Sequence, residues 1–152
     1  MKNIIASFWV MILSVSAFSQ VSKVAILEVL DKDGSVSYAH KLVIRETFAK
    51  SISSFSRFET LDLSTVDAVL REINMSPITA TIADEKIKNI GGALGVEYLV
   101  VIEGVKVDDA NLFLIAKLFS AGTGNTDRSD NILTSTNAIA IPHGCETLAR
   151  TL

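Results

Sequence analysis

The chain has 152 residues and a formal net charge of −3, with 14 basic and 17 acidic side chains. Nucleic-acid binding needs clustered lysine and arginine, whereas the basic residues here are scattered and outnumbered, so a nucleic-acid partner is excluded. The single cysteine, Cys145, cannot close an internal disulfide, so packing must stabilise the fold unless this thiol pairs with another chain.

The first twenty residues have the pattern of a secretory signal peptide. Lys2 precedes an uncharged run over residues 4–18, and the small residues Ala17 and Ser19 stand before a cut at Gln20. The run of about 15 residues is shorter than the roughly 20 of a spanning helix, so we expect no stable membrane anchor. We predict a signal peptide over residues 1–19 and one globular domain over residues 20–152. The mature protein is expected to be periplasmic or secreted, without a lipid anchor because no cysteine stands near the cut.

A buried strand and an amphipathic helix open the predicted domain. The apolar run over residues 23–30 predicts a strand, and residues 31–34 predict a solvated turn after it. Ser35 or Ser37 can cap the helix that follows. Its stripe recurs at intervals of three and four residues, with Arg45 as its only polar member. The predicted stripe comprises Tyr38, Leu42, Arg45, Phe48, Ala49, Ile52 and Phe55.

A second strand and two helices follow. Residues 57–61 predict the strand, and the Ser64 hydroxyl is expected to cap the next helix while Asp67 lies near its positive end. That helix should bury Val66, Val69, Leu70 and Ile73 and end before Pro77. The third helix spans residues 83–94 with Ile87, Ile90 and Leu94 on one face. Gly95 is expected to be the left-handed residue after its end.

Three strands and a closing helix complete the chain. Residues 97–107 and 112–120 predict two strands joined by a hairpin turn, with Lys117 on a partly covered face. A turn over residues 122–125 leads to a weaker strand near residues 126–133. Pro142 suits the first turn of a helix that carries Cys145, Leu148 and Ala149 inward. The order β-α-β-α-α-β-β-β-α predicts an α/β layered domain with a mixed central sheet.

The sequence carries no strong catalytic signature. His143 and Cys145 could supply two metal ligands, but zinc needs three or four, and residues two apart in a helix face different sides. The segment 31–34 has too few oxygen ligands for calcium. The glycines at 91, 92 and 95 end a helix, which favours close helix-to-sheet packing over a phosphate cradle. We therefore predict no catalytic, cofactor-binding or metal-binding residue, and no enzyme.

Two alternatives stay open. A small exported hydrolase could use two of the carboxylates Asp108, Asp109, Asp127 and Asp130, if they faced each other across a cleft with a raised pKa. Turn carboxylates are usually only solvated. A homo-oligomeric structural protein is the other alternative, because the edge strands of a mixed sheet can pair between chains.

Several strings occur in the order seen in one group of envelope proteins. They lie at residues 24–27, 49–52, 58–62, 66–72, 90–100 and 116–118, with Thr123-Gly124 after the last. The most specific is Leu94-Gly95-Val96 followed by Glu97, Tyr98 and an apolar strand. Over about residues 23–129 the chain resembles the curli-secretion and penicillin-binding-protein-activator family, CsgG/LpoB-type, which shares its core with the TolB amino-terminal domain.

This resemblance implies a non-enzymatic cell-envelope accessory protein that acts by binding other proteins, in envelope assembly, outer-membrane biogenesis or regulation of peptidoglycan synthases. The implied partner is a penicillin-binding protein or an outer-membrane assembly component. No active-site residue carries over, because none of the matched positions is catalytic in the family. The named members are outer-membrane lipoproteins with a long tether or pore-forming strands, whereas this sequence has no lipidation cysteine and no length for either feature. A compact, soluble relative is expected.

Overall fold

The computed structural model describes residues 20–75 and 83–152, so the predicted signal peptide and Pro77 lie outside the described residues. The order of elements in this part of the chain confirms the predicted one. The elements are β1 Ser22–Leu30, α1 Tyr38–Ser53, β2 Phe58–Thr60, α2 Leu63–Glu72, α3 Asp84–Leu94, β3 Tyr98–Lys106, β4 Asn111–Ser120, β5 Thr126–Ser135 and α4 Ala140–Thr151.

The strands form one mixed sheet in the order β2-β1-β3-β4-β5. Strand β1 is parallel to β2 and β3, while β3, β4 and β5 are antiparallel neighbours. Strands β1, β3 and β5 therefore end at the same edge of the sheet, at Leu30, Lys106 and Ser135. We call this the apical end of the domain. The predicted α/β layered architecture with a mixed central sheet is confirmed.

Helices α1 and α4 cover one face of the sheet. Their buried residues Phe48, Cys145 and Leu148 meet alternate residues of β1, β3 and β4, as the two-residue strand period requires. This cluster includes Val24, Ile26, Ile44, Phe48, Ile52, Val100, Ile102, Leu114, Ala116, Ile141, Cys145, Leu148 and Ala149. The predicted inward positions of Cys145, Leu148 and Ala149 are confirmed.

Helices α2 and α3 cover the opposite face over β1 and β3. Their core contains Ala25, Leu27, Val66, Leu70, Ile87, Ile90, Leu99, Val101 and Phe119. Farther along this face, Phe113, Ile115 and Lys117 of β4 are only partly buried, as predicted for the face of Lys117. On this face, the half of the sheet formed by β4 and β5 is therefore the less covered half.

Gly91 in α3 and Gly95 just after it behave as predicted, whereas Gly92 is exposed and does not pack closely, since nothing lies within 4 Å of where its Cβ would be. Gly95 has φ +64° and ends the helix in the left-handed conformation. A Cβ atom on Gly91 would lie 2.3 Å from the Cβ of Ala121, so only glycine allows α3 to approach the segment after β4 this closely.

Two predictions about α1 and α2 are wrong. Asp62, and not Ser64, caps α2, because its carboxylate accepts from the amides of Ser64 at 2.9 Å and Thr65 at 3.3 Å. Tyr38 and Leu42 are not buried: they are 81% and 48% exposed. Val36, in the loop before α1, fills the core at that end and lies 3.4 Å from where a Cβ of Gly104 would be, so the first turns of α1 stay at the surface.

Candidate protein-binding surface

Exposed apolar side chains concentrate at the apical end of the domain. Seven large hydrophobic residues of the described chain are strongly exposed, and only Val21 among them lies at the opposite end, where β1 begins. The other six are Tyr38 at 81%, Leu42 at 48%, Val43 at 39%, Val107 at 58%, Leu133 at 58% and Ile139 at 86%. We call these six the apical surface. The six share one end of the domain but not one face: Leu133 pairs with Phe113 on the face of α2 and α3, whereas Tyr38 and Leu42 lie on α1. Single exposed apolar residues are ordinary, and it is the concentration of six at one end that favours an interaction site.

The loop that leads to Tyr38 is held by a buried carboxylate. Asp31 accepts from the amides of Ser35 and Val36, both at 3.1 Å, and forms an ion pair with Lys41 at 2.9 Å. Ser35 in turn accepts from the amide of Lys106 in β3 at 3.2 Å. The prediction of a solvated turn is thus wrong for Asp31, whose side chain is 0% exposed. The first turn of α1 is therefore presented on a fixed loop.

Val107 and Ile139 of the apical surface also lie on structured turns. In the β3–β4 turn after Val107, Asp108 accepts from the Ala110 amide at 2.8 Å and from the Asn111 side-chain amide. After β5, the carbonyl oxygen of the Asn137 side chain accepts from the amides of Ile139 at 3.1 Å and of the following residue, which begins α4. Rigid presentation reduces the entropy lost when a partner binds.

A cleft of about 390 Å³ opens at this end between α1 and α2. It exists because β2 pairs only with residues 22–24 of β1, so the later residues of β1 have no described strand beside them on that side. Helix α1 then passes to one face and α2 to the other, the arrangement in which α/β folds bind ligands at the carboxyl ends of strands. The cleft is lined by Glu28, Val29, Leu30, Asp31, Tyr38, Lys41, Leu42, Arg45 and Asp67.

Arg45 joins the two helices at this cleft. Its guanidinium donates to the Asp67 carboxylate at 2.7 and 3.0 Å and to the Ile26 carbonyl at 3.1 and 3.3 Å. This explains why an arginine stands on an otherwise apolar stripe: it satisfies a backbone carbonyl of β1 that a longer β2 would have paired.

The carboxylates of the hydrolase alternative do not come together as one group. Asp108 and Asp109 lie at the apical turn, whereas Asp130 pairs with Ala116, five strand positions or roughly 17 Å from the start of β4 at Asn111. Hydrogen bonds from Asn111 and the Ala110 amide lower the pKa of Asp108. The Asn131 amide likewise lowers the pKa of Asp130. A general acid needs the opposite shift.

His143 and Cys145, the candidate metal ligands, lie on different sides of helix α4. Cys145 is fully buried, and burial raises the pKa of its thiol to about 12, while His143 is exposed on another side of the helix. Within residues 20–75 and 83–152, no group of three or more His, Cys, Asp or Glu side chains could hold a metal ion. In the same residues no helix is long and apolar enough to cross a membrane.

Sequence reasoning missed the apical surface. It placed Tyr38 and Leu42 in the core and did not single out Val43, Val107 or Ile139. Leu133 was the last residue of a predicted strand, and no binding role was assigned to it. The one usable signal was Val36, an apolar residue just before the Ser37 cap, which is buried while Tyr38 is exposed.

No protein-family model matches this chain, and no curated protein is significantly similar to it in sequence. Solved structures do share its fold. The LpoB C-terminal domain from Escherichia coli aligns with a TM-score of 0.60 and 18% identity, over 82% of this chain and 90% of that one. Lipoprotein GNA1162 from Neisseria meningitidis aligns with a TM-score of 0.60 and 11% identity, over 78% and 83%. TolB from Acinetobacter baumannii aligns with a TM-score of 0.53 and 13% identity, over 86% of this chain and 27% of that one.

These likenesses define the fold, which is the α/β fold of the LpoB C-terminal domain and is also found in part of TolB. They support those parts of the resemblance noted in the sequence, at identities that establish fold alone. The curli-secretion part stays a prediction.

Proposed function

We propose that this chain is an exported accessory protein of the cell envelope that binds another protein through its apical surface and catalyses no reaction. The concentration of six of seven strongly exposed large apolar side chains at one end carries the proposal. Tyrosine is enriched in interface cores, and exposed apolar side chains held on a rigid frame around it exclude water from such a contact. The LpoB-like fold and the likeness to a lipoprotein support an envelope setting.

The proposed partner is a penicillin-binding protein or an outer-membrane assembly component, as the family resemblance implies. The test is crosslinking in intact cells with a tagged chain, followed by mass spectrometry of the captured proteins. An unrelated exported protein carrying the same tag defines the background. We expect one or a few envelope proteins to be enriched.

A matched pair of variants tests whether the captured partner binds the apical surface. The triple variant Val107→Ser, Leu133→Ser, Ile139→Ser should lose the partner, because it removes three exposed apolar contacts and no core residue. Val21→Ser, at the opposite end, should keep it. Unchanged capture by a folded triple variant would refute the role of the apical surface, and capture of background proteins alone would refute the proposed function.

We propose further that the protein is periplasmic or secreted, without a lipid. The intact mass of the protein recovered from its compartment tests this, because cleavage before Gln20 leaves an unmodified chain. Retention of residues 1–19, or added lipid mass, would contradict it.

A homo-oligomeric protein is the second candidate. The observation that favours it is strand β5, which has 10 residues and no strand on its outer side in the described part of the chain. Such an edge can pair with another chain. Sedimentation over a range of concentrations separates the two candidates: a constant monomer mass contradicts this one, and self-crosslinks alone would support it.

A further inference from the structure

The charges that line the cleft between α1 and α2 do not balance. Asp31 pairs with Lys41 at 2.9 Å, and Arg45 pairs with Asp67 at 2.7 Å. Both pairs are also fixed by hydrogen bonds to backbone groups, so neither is free to rearrange without cost. Glu28 is the fifth charged residue of the lining and has no ion pair among the described residues. The cleft therefore carries one uncompensated negative charge.

In the described part of the chain, Glu28 forms no ion pair with the nearby cation Arg71. Arg71 shares a smaller adjoining hollow with Glu28 and Asp67, but its Nε donates to the Asp67 carbonyl at 3.1 Å. Glu28 is itself half-buried on β1, and a partly desolvated carboxylate gains from a cation that enters the same space.

The remaining walls of the cleft are apolar, and Tyr38 and Leu42 are their exposed members, whereas Val29 and Leu30 are buried beneath them. Tyr38 and Leu42 stand one turn apart on the same side of α1, and Val29 and Leu30 of β1 are also part of the lining. Tyr38 is 81% exposed, so its ring is available to a partner. An aromatic face beside an aliphatic wall suits a side chain with a methylene stem and a cationic end.

We infer that this cleft receives an arginine or lysine side chain of the protein partner, with Glu28 as the countercharge and Tyr38 against the stem and cation. This rests on the proposed function, because it takes the occupant to be part of a protein. An acidic side chain would be repelled by Glu28, and a purely apolar one would leave Glu28 desolvated and unpaired. Arginine matches the tyrosine ring better than lysine does, since its guanidinium is planar.

The test needs no partner. Amide NMR spectra of the purified exported protein are recorded while N-acetylarginine methylamide is added, and the same titration is made with the norleucine and glutamate analogues. We expect saturable shifts at Val29, Leu42 and Arg45 with a dissociation constant on the order of millimolar, the range for a single side chain. The norleucine analogue should bind about tenfold more weakly, and the glutamate analogue should not bind.

Variants identify the two recognition groups. Glu28→Gln should weaken binding of the arginine probe about threefold. Glu46→Gln, which changes an exposed carboxylate on α1 outside this cleft, should leave binding unchanged. Tyr38→Ala should weaken binding roughly threefold and Tyr38→Phe should not, because the ring and not the hydroxyl makes the contact. Thermal melts check that every variant is folded.

Several results would overturn the inference. They are equal binding of the arginine and norleucine probes, no effect of Glu28→Gln, shifts distributed away from the cleft, or no shift at all. A failed titration together with successful partner capture by the apical surface would refute only this inference. If the unmodified chain captured only background proteins while the titration was positive, the proposed function would be refuted and the cation site would remain supported.

Discussion

Replacing Gly91 by alanine tests how closely α3 approaches the sheet. In a helix interior, Gly→Ala ordinarily stabilises a protein by roughly 1 kcal/mol, because alanine loses less backbone entropy on folding. At Gly91 the new Cβ would meet the Cβ of Ala121 at 2.3 Å and its Cα at 3.2 Å. Forcing a methyl group into such a contact costs about 1–3 kcal/mol, since backbone must move and no flexible side-chain end can yield. We therefore expect Gly91→Ala to be neutral or destabilising.

The neighbouring glycine is the matched control. A Cβ on Gly92 would meet nothing within 4 Å, so Gly92→Ala should show the ordinary gain of about 1 kcal/mol. The two variants have the same composition and differ only in the side of α3 on which the new methyl group lies. Their free energies of unfolding should differ by roughly 1–3 kcal/mol, with Gly91→Ala the less stable.

Urea unfolding followed by circular dichroism measures the difference, provided that the denaturant slopes agree between variants. Adding Ala121→Gly to Gly91→Ala removes the clashing Cβ and should recover part of the loss, whereas adding it to Gly92→Ala should not. If Gly91→Ala were as stable as Gly92→Ala, the close approach of α3 to the segment after β4 would be wrong.

Three further predictions concern single side chains. Arg45→Lys should lower the free energy of unfolding by about 1–3 kcal/mol, because lysine cannot reach Asp67 and the Ile26 carbonyl together. Lys50→Arg, an exchange at an exposed position, is the control. An equally small loss in both variants would contradict the prediction. Burial alone would raise the pKa of Glu103, but Lys117 and Lys32 outweigh it and the pKa is lowered from 4.5. This carboxylate therefore stabilises the fold above that pH, and the contribution is lost as pH falls through the lower folded pKa. Glu103→Gln should flatten the acid side of the stability curve, and an unchanged acid slope would refute the assignment. With a thiol pKa raised to about 12, Cys145 should react with thiol reagents only after unfolding, and fast native labelling or a disulfide-linked dimer would contradict its burial.

The element order could be predicted because each element carries a local signal. Alternation in β4 separates Leu112, Leu114, Ala116 and Leu118 from Phe113 and Lys117, and the structure places the first set in the core between the sheet and α1. The helix end at Gly95 and the cap at Ser37 are likewise local events within a few residues.

The candidate site could not be predicted in the same way. Its members come from α1, the β3–β4 turn, β5 and the loop before α4, so no sequence window contains them. Periodicity places Tyr38 on an apolar stripe, but it does not reveal that Val36 already fills the core at that end. The partners of Arg45, 19 and 22 residues away at Ile26 and Asp67, follow only from the packing of α1 against β1 and α2.

By itself the sequence determined which segments become helices and strands and which of their faces turn inward, because period, caps and turn residues act over a few neighbours. Only the tertiary structure decided which apolar side chains remain without cover and which charges remain without a partner. That depends on where distant elements end: β2 stops after three residues beside β1 and leaves a cleft, and Glu28 lines it uncompensated.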